Sequence, residues 1–141
     1  MRYGRIILAA LVATLIEAIY SWATCGNLFK WVYRLEPTQI WRSMENATWA
    51  FWLEVNLGNF VFSLIFVFLF ALLFSSIPGR YILKGIMWGL FVWLLGVVPG
   101  MFATGMFMNI SQTVVIYWTI IGLIKYLLIG TTTVLVYGKK G

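Results

Sequence analysis

The sequence predicts an all-α integral membrane protein: a four-helix bundle with a short interfacial amphipathic helix in its first loop. Of the 141 residues, 62% are hydrophobic and only 10% are charged, whereas soluble domains carry about 25% charged residues. The apolar residues form four continuous runs, each close to the roughly 20 residues that a helix needs to cross a bilayer. A soluble globule of this length could not bury so much apolar surface, which excludes a soluble enzyme.

The four predicted spans cover residues 6–24, 51–75, 81–104 and 112–137 of a single transmembrane domain, residues 1–141. Continuous apolar runs favour helices, because barrel strands alternate in pieces of ~10 residues. The short turn that follows span 2 predicts that spans 2 and 3 are antiparallel neighbours. Pro99 and Gly100 are expected to kink or end span 3.

The residue types that are missing exclude several kinds of site. The chain has no His, and Cys25 is its single cysteine. These absences exclude a His-ligated metal or haem, a Ser-His or Cys-His catalytic pair, an intrachain disulfide and a CxxC redox pair. No Gly-rich phosphate loop and no catalytic pair of acids is found either. The sequence therefore predicts no catalytic residue and no cofactor, and it favours a protein that is not an enzyme.

The basic residues predict the orientation of the chain. The net charge is +6, and in so apolar a chain the basic residues are expected to meet lipid phosphates rather than nucleic acid. Six lie on one predicted side: Arg2, Arg5, Arg80, Lys84, Lys139 and Lys140. The other side carries Lys30, Arg34 and Arg42. The positive-inside rule then predicts a multi-pass protein of the cell (inner) membrane with both termini in the cytoplasm.

The first loop, residues 25–50, is less polar than a linker between spans. Its apolar residues recur at helical spacing: Leu28, Trp31, Val32 and Leu35. Because Lys30 and Arg34 lie on another face, the pattern predicts an amphipathic helix in the headgroup plane. Trp31 and Trp41 fit an interfacial aromatic belt. The loop is either a cap over the bundle or an aromatic surface that docks a partner protein or ligand.

Two charged residues fall inside the predicted spans. Glu17 lies near the middle of span 1, and Lys125 lies near the middle of span 4. A charge at this depth costs about 2.5–3.5 kcal/mol unless it is paired or neutralised. The two residues lie within one helical turn of the same depth, so we predict an ion pair. The pair either fixes helix register or serves as a proton-linked or ion-linked site.

Span 2 carries a polar stripe that continues inward from its outer end. Its members are Glu54, Asn56, Asn59 and Ser63. Asn59 and Ser63 are expected to form interhelical hydrogen bonds, and the alternative is that the stripe lines a hydrated cavity.

Span 3 carries two GxxxG patterns, Gly85 with Gly89 and Gly96 with Gly100. Glycines at this spacing let helices approach closely. They are expected to serve packing within one chain or self-association into a homo-oligomer.

Soft sulfur ligands gather near the predicted outer side. They are Cys25, Met101, Met106 and Met108. Thiolate and thioether groups suit Cu(I), although Met is also an ordinary packing residue in apolar cores. No other metal site is expected.

Two segments carry a family resemblance: KGIMWGLFVWLLG, from residue 84 to 96, and VVIYWTIIGLIKYLLIG, from residue 114 to 130. They resemble small bacterial four-span membrane protein families of unknown function. The resemblance implies no activity, and no functional residue is carried over from it.

Three functional classes remain open after this reading. The first is an oligomeric transporter or channel built around Glu17 and Lys125, because an ionisable residue within a membrane span is a functional hypothesis by default. The second is a non-catalytic accessory or assembly subunit of a larger membrane complex. The third is a membrane enzyme that acts on a lipid or a quinone. The expected partners are the lipid bilayer and either further copies of the chain or another membrane protein.

Overall fold

A computed structural model describes residues 3–41 and 47–138 of the chain, and every regular element within them is helical. Span 1 is an α-helix over Tyr3–Ser21 that continues as a π-helical segment over Trp22–Leu28. Span 2 is Trp49–Leu73, and span 4 is Gln112–Tyr137. Span 3 joins three segments, Tyr81–Val92, Trp93–Val97 and Val98–Phe107. The predicted all-α class is confirmed, since all four helices are long and apolar enough to cross a membrane.

The spans lie side by side in the order 2–1–4–3. Span 1 packs against spans 2 and 4, and span 3 packs against span 4. Ala9, Ala10 and Ala13 of span 1 are fully buried, because small side chains let neighbouring helices approach closely. The remaining core residues are large and apolar: Ile6, Phe66, Val67, Phe70, Trp88, Ile129 and Val134.

The prediction that spans 2 and 3 are antiparallel neighbours holds for side-chain contacts but not for a close approach of the two backbones. Within the described residues their backbones approach at few points, and the main contacts of span 3 are with span 4. Side chains join the two spans near the turn, where the Lys84 ammonium donates to the Phe74 carbonyl at 2.6 Å. Further along, the Trp88 ring lies 5.7 Å from the Phe66 ring. A short turn constrains one end of a hairpin only, so the rest of each helix follows the partner that offers the closer surface.

Pro99 does not end span 3, which continues to Phe107. The regular helix is interrupted one turn earlier, in the π-helical segment Trp93–Val97. The Val98 N–H donates to the Trp93 carbonyl there, five residues back. Proline lacks an N–H and is tolerated in the first turn of a helix, which is where Pro99 lies in the segment Val98–Phe107.

The predicted amphipathic helix of the first loop is not confirmed. Span 1 extends to Leu28, and a 3-10 helix of five residues, Lys30–Arg34, follows it. Val32 is 1% exposed, whereas Leu28 and Trp31 are 69% and 52% exposed. Val32 packs with Val114 at the start of span 4. Leu35 is partly buried against the same cluster, whereas Leu28 and Trp31 stay exposed, so the four apolar residues of the predicted helix do not form a common buried face.

Candidate functional site

The two charges inside the spans meet. The Lys125 Nζ lies 2.8 Å from the Glu17 Oε1, and the side chains are 24% and 15% exposed, respectively. Glu17 is the fifteenth residue of span 1 and Lys125 the fourteenth of span 4. At 1.5 Å per residue each lies roughly 20 Å from the start of its helix. The pair therefore bridges spans 1 and 4 near the middle of the bundle.

Two tyrosines lie beside the ion pair, Tyr126 on span 4 and Tyr20 on span 1. The Lys125 ammonium lies 5.5 Å from the centroid of the Tyr126 ring, close enough for a cation–π interaction. One helical turn above Glu17, the Tyr20 hydroxyl donates to the Ile121 carbonyl at 2.9 Å. This bond joins spans 1 and 4 beside the ion pair. The sequence analysis did not single out Tyr20 or Tyr126, although the placement of Tyr126 directly after Lys125 is a signal that could have found it.

A cavity of about 600 Å³ opens from the ion pair, between spans 2 and 3. Its polar residues are Glu17, Lys125 and Ser63, and the rest of the wall is largely aromatic and aliphatic. Phe62 and Leu95, which line it, remain 70% and 60% exposed. The cavity is thus open on the side where the backbones of spans 2 and 3 separate, and we refer to it as the lateral cavity.

A second cavity of about 290 Å³ lies on the other side of the ion pair. Spans 1, 3 and 4 form its walls, which lie nearer than the ion pair to the end of the bundle that the first loop covers. Thr24, Cys25 and Met101 are among the lining residues. We call it the loop-side cavity. Lys125 and Tyr126 line both cavities. These two side chains therefore stand between the lateral cavity and the loop-side cavity.

Of the predicted polar stripe, Ser63 alone lines a described cavity. Glu54 and Asn56 are exposed, and the Asn56 amide donates to the Trp52 carbonyl at 2.7 Å. Asn59 is half-buried. The stripe follows the helical spacing, but the buried residues of span 2 lie between Ser63 and Phe70, so the polar residues near its N-terminus are left outside the bundle.

The first GxxxG pattern packs within the chain. A methyl group on Gly85 would overlap the Gly130 carbonyl oxygen, and one on Gly89 would overlap the Tyr126 carbonyl oxygen. Spans 3 and 4 therefore meet backbone to backbone. The second pattern differs, because a methyl group on Gly96 or Gly100 would have no atom of another part of the described chain within 4 Å. Gly96 lines the lateral cavity.

Trp41 belongs to an aromatic cluster that closes the loop-side end of the bundle. Its ring lies 5.1 Å from that of Tyr33 and 5.7 Å from that of Trp118. The Trp118 indole N–H donates to the Tyr33 hydroxyl at 2.9 Å. Lys30, Trp31 and Arg34, by contrast, are exposed, and Arg42 lies outside the described residues, as do Arg2, Lys139 and Lys140. Tyr33 and Trp118 were missed because an isolated aromatic residue carries no spacing signal.

The Tyr33 hydroxyl is expected to lose its proton at a higher pH than an ordinary tyrosine does. Burial, together with the neighbouring Cys25 thiol, raises the pKa of Tyr33 to about 12 from its usual 10.0. Because the folded state holds this proton more tightly, the stability from Tyr33 is present below pH 10 and is lost as pH rises towards about 12. We expect the difference in phenolate absorbance between the wild type and Tyr33→Phe to rise near pH 12. A difference curve centred near pH 10, the ordinary tyrosine value, would contradict the packing of this cluster.

The sulfur residues are only partly brought together. Cys25 and Met101 line the loop-side cavity, whereas Met106 and Met108 are 66% and 58% exposed. The Tyr117 hydroxyl donates to the Cys25 sulfur at 3.9 Å. Within the described residues no group of three or more His, Cys, Asp or Glu side chains could hold a metal ion. A Cu(I) site would have to rest on Cys25 and Met101.

Comparison with known proteins gives no relative. No family model matches the chain, and neither a curated protein nor a solved structure matches it. A functional hypothesis for this chain therefore rests on the ion pair and the two cavities beside it.

Proposed function

We propose that the protein is a small polytopic transporter or channel of the cell inner membrane, in which the Glu17–Lys125 pair is the site that moves charge. One observation carries this proposal: the pair stands between two cavities at the middle of the bundle. A salt bridge that only fixed helix register would be served by close packing on all sides. Here both partners instead border open space.

The position of the pair suggests how a transport cycle would work. While Lys125 holds Glu17, the lateral cavity and the loop-side cavity are separated by the Lys125 and Tyr126 side chains. Breaking the bridge frees Lys125 to move and joins the two spaces. Because four helices form a thin bundle, a pathway across the membrane needs a homo-oligomer. By the positive-inside rule both termini lie in the cytoplasm, and the loop-side cavity faces outwards.

Replacing Glu17 by Gln is expected to abolish the flux of protons or potassium ions through the protein, while the protein stays folded. The purified full-length chain is reconstituted into vesicles that contain a pH-sensitive dye, and an imposed proton or potassium gradient is followed. We expect wild-type vesicles to dissipate one of these gradients, and Glu17→Gln vesicles to leak no faster than protein-free ones, because Gln cannot carry a charge or a proton.

Glu54→Gln is the matched control, because it removes an exposed carboxylate outside both cavities. It should keep the wild-type rate. If wild type and Glu17→Gln dissipate both gradients equally fast, the ion pair is not a transport site.

A second function, that of an accessory subunit, is favoured by the open face at Gly96 and Gly100. Glycines that face open space leave room for a helix of another membrane protein. Native mass spectrometry of the gently extracted protein separates the two functions. A closed homo-oligomer supports a transporter, and a fixed complex with larger proteins supports an accessory subunit.

A further inference from the structure

Lys125 and Glu17 differ in the contacts that stabilise their charges and in their exposure to the cavities. Lys125 has a second favourable contact besides Glu17, because its ammonium lies 5.5 Å from the centroid of the Tyr126 ring. The Glu17 carboxylate has no hydrogen-bond partner other than Lys125 among residues 3–41 and 47–138. Lys125 is also the more exposed of the two, at 24% against 15%, and it alone of the pair borders both cavities. A ligand would therefore find the cation accessible and already stabilised.

Charge balance then determines what happens to Glu17. An ionised carboxylate without a partner in a site of low polarity is strongly unfavourable, and such a group neutralises instead. The titratable groups around it are Lys125 and Tyr126 on span 4 and Tyr20 on span 1. The residues of spans 2 and 3 that line the lateral cavity include no titratable side chain. The proton must therefore come from water when an anion replaces Glu17 on Lys125, and the net charge of the site stays unchanged.

Ser63 adds a polar group that the fold leaves free. It is 4% exposed and lines the lateral cavity, and its hydroxyl has no hydrogen-bond partner in the described part of the chain. Other hydroxyls in these helices donate to the carbonyl four residues back, as those of Thr14 and Thr119 do. Because Ser63 lines the lateral cavity and its hydroxyl is not engaged in this way, the hydroxyl is available to hydrogen-bond a ligand's head group.

The walls of the lateral cavity suit an apolar tail. Most are aromatic or aliphatic: Phe62, Ile65, Phe66, Leu69, Phe91 and Leu95. The open side between spans 2 and 3 gives a tail direct access from the lipid. A volume of about 600 Å³ lies in the range of sites for single small molecules, which favours a single-chain molecule over a two-chain phospholipid.

We propose that the lateral cavity binds one single-chain anionic amphiphile on Lys125 and Ser63, and that Glu17 takes up one proton for each anion bound. This inference rests on the proposed transport role and adds its substrate class and its coupling. Binding breaks the Lys125–Glu17 bridge, forms a Lys125–anion pair and an O–H bond on the Glu17 carboxylate, and consumes one proton from water.

Two probes of equal chain length and fixed opposite charge test the proposal: dodecanesulfonate and dodecyltrimethylammonium. Neither head group titrates, so any proton taken up belongs to the protein. The full chain is placed in phosphatidylcholine nanodiscs, binding is measured by calorimetry, and pH is followed in a weakly buffered solution. We expect saturable binding of the sulfonate above that of empty discs, with one proton consumed per anion, and no such binding of the ammonium.

Three variants locate the effect. Glu17→Gln should bind the sulfonate without proton uptake, because the amide cannot titrate. Ser63→Ala should weaken binding of the sulfonate but still take up one proton for each anion bound. Glu17→Gln with Lys125→Met should lose saturable binding, and this double variant avoids the unpaired carboxylate that could prevent Lys125→Met from folding.

Several outcomes overturn the inference and leave the transport role standing. These are binding of the ammonium with proton release, binding of the sulfonate without proton uptake, and binding of neither probe by a protein that still shows Glu17-dependent flux. Loss of sulfonate binding in discs rich in phosphatidylglycerol would show that the occupant is a membrane phospholipid, which also overturns it. If wild-type and Glu17→Gln vesicles dissipate the gradients at the same rate, the transport role itself is overturned.

Discussion

Replacing Lys125 by Met is expected to lower the free energy of unfolding by about 3 kcal/mol, the largest effect of any change considered for this protein. The substitution leaves the Glu17 carboxylate without its 2.8 Å partner at a site where it is 15% exposed. Replacing Glu17 by Gln is expected to cost about 1 kcal/mol, because the amide oxygen still accepts from Lys125. Unfolding in mixed micelles with increasing denaturing detergent measures both effects.

The double variant Glu17→Gln with Lys125→Met provides the control. It contains no unpaired charge at this depth, so it should recover most of the loss seen in Lys125→Met alone. The interaction energy from the double-mutant cycle is expected to be about 3 kcal/mol, which leaves the double variant about 1 kcal/mol less stable than the wild type. Costs that simply add would show that Glu17 and Lys125 do not interact.

The second large effect is expected where spans 3 and 4 meet backbone to backbone. A methyl group at Gly89 overlaps the Tyr126 carbonyl oxygen and lies 3.3 Å from the Leu127 Cα. Neither atom belongs to a flexible side chain, so Gly89→Ala must push the helices apart. We expect a loss of about 1–3 kcal/mol in the same unfolding experiment, the usual cost of overpacking.

Gly96→Ala is the matched control for this change. It alters the same helix in the same way, but its methyl group meets open space, and its stability should stay within about 0.5 kcal/mol of the wild type. Equal losses in the two variants would contradict the close packing at Gly89, because Ala has a higher helix propensity than Gly and propensity alone would make both variants more stable. A loss only in Gly96→Ala would place the contact surface with span 4 at Gly96 and not at Gly89.

The fold class and the helices could be predicted from the sequence because continuous apolar runs of this length have few other solutions. The order 2–1–4–3 could not. It depends on which faces approach most closely, as the backbones at Gly85 and Gly130 do, and composition carries no such information. The two π-helical segments were also missed, because a π turn at Trp93–Val97 has no distinctive residue pattern.

The candidate site could be predicted only in part. A charge deep in an apolar span needs a partner, so Glu17 and Lys125 are identified by their depth alone. The lateral cavity beside them follows from the separation of the backbones of spans 2 and 3, which the short turn between those spans does not reveal. Ser63 was identified from its place in a polar stripe, but Glu54 and Asn56 of the same stripe lie outside the cavities.

The order of the spans has a consequence for biosynthesis. Glu17 and Lys125 are separated by 108 residues, and spans 2 and 3 are both synthesised between them. The first helix therefore enters the bilayer carrying a carboxylic acid whose amine has yet to leave the ribosome. The free energy of inserting a lone carboxylic acid into lipid is lowest for its neutral form. The ionised pair therefore forms only when the last helix is inserted. Truncating the chain before span 4 should leave a first helix that the quality-control proteases of the membrane treat as unassembled.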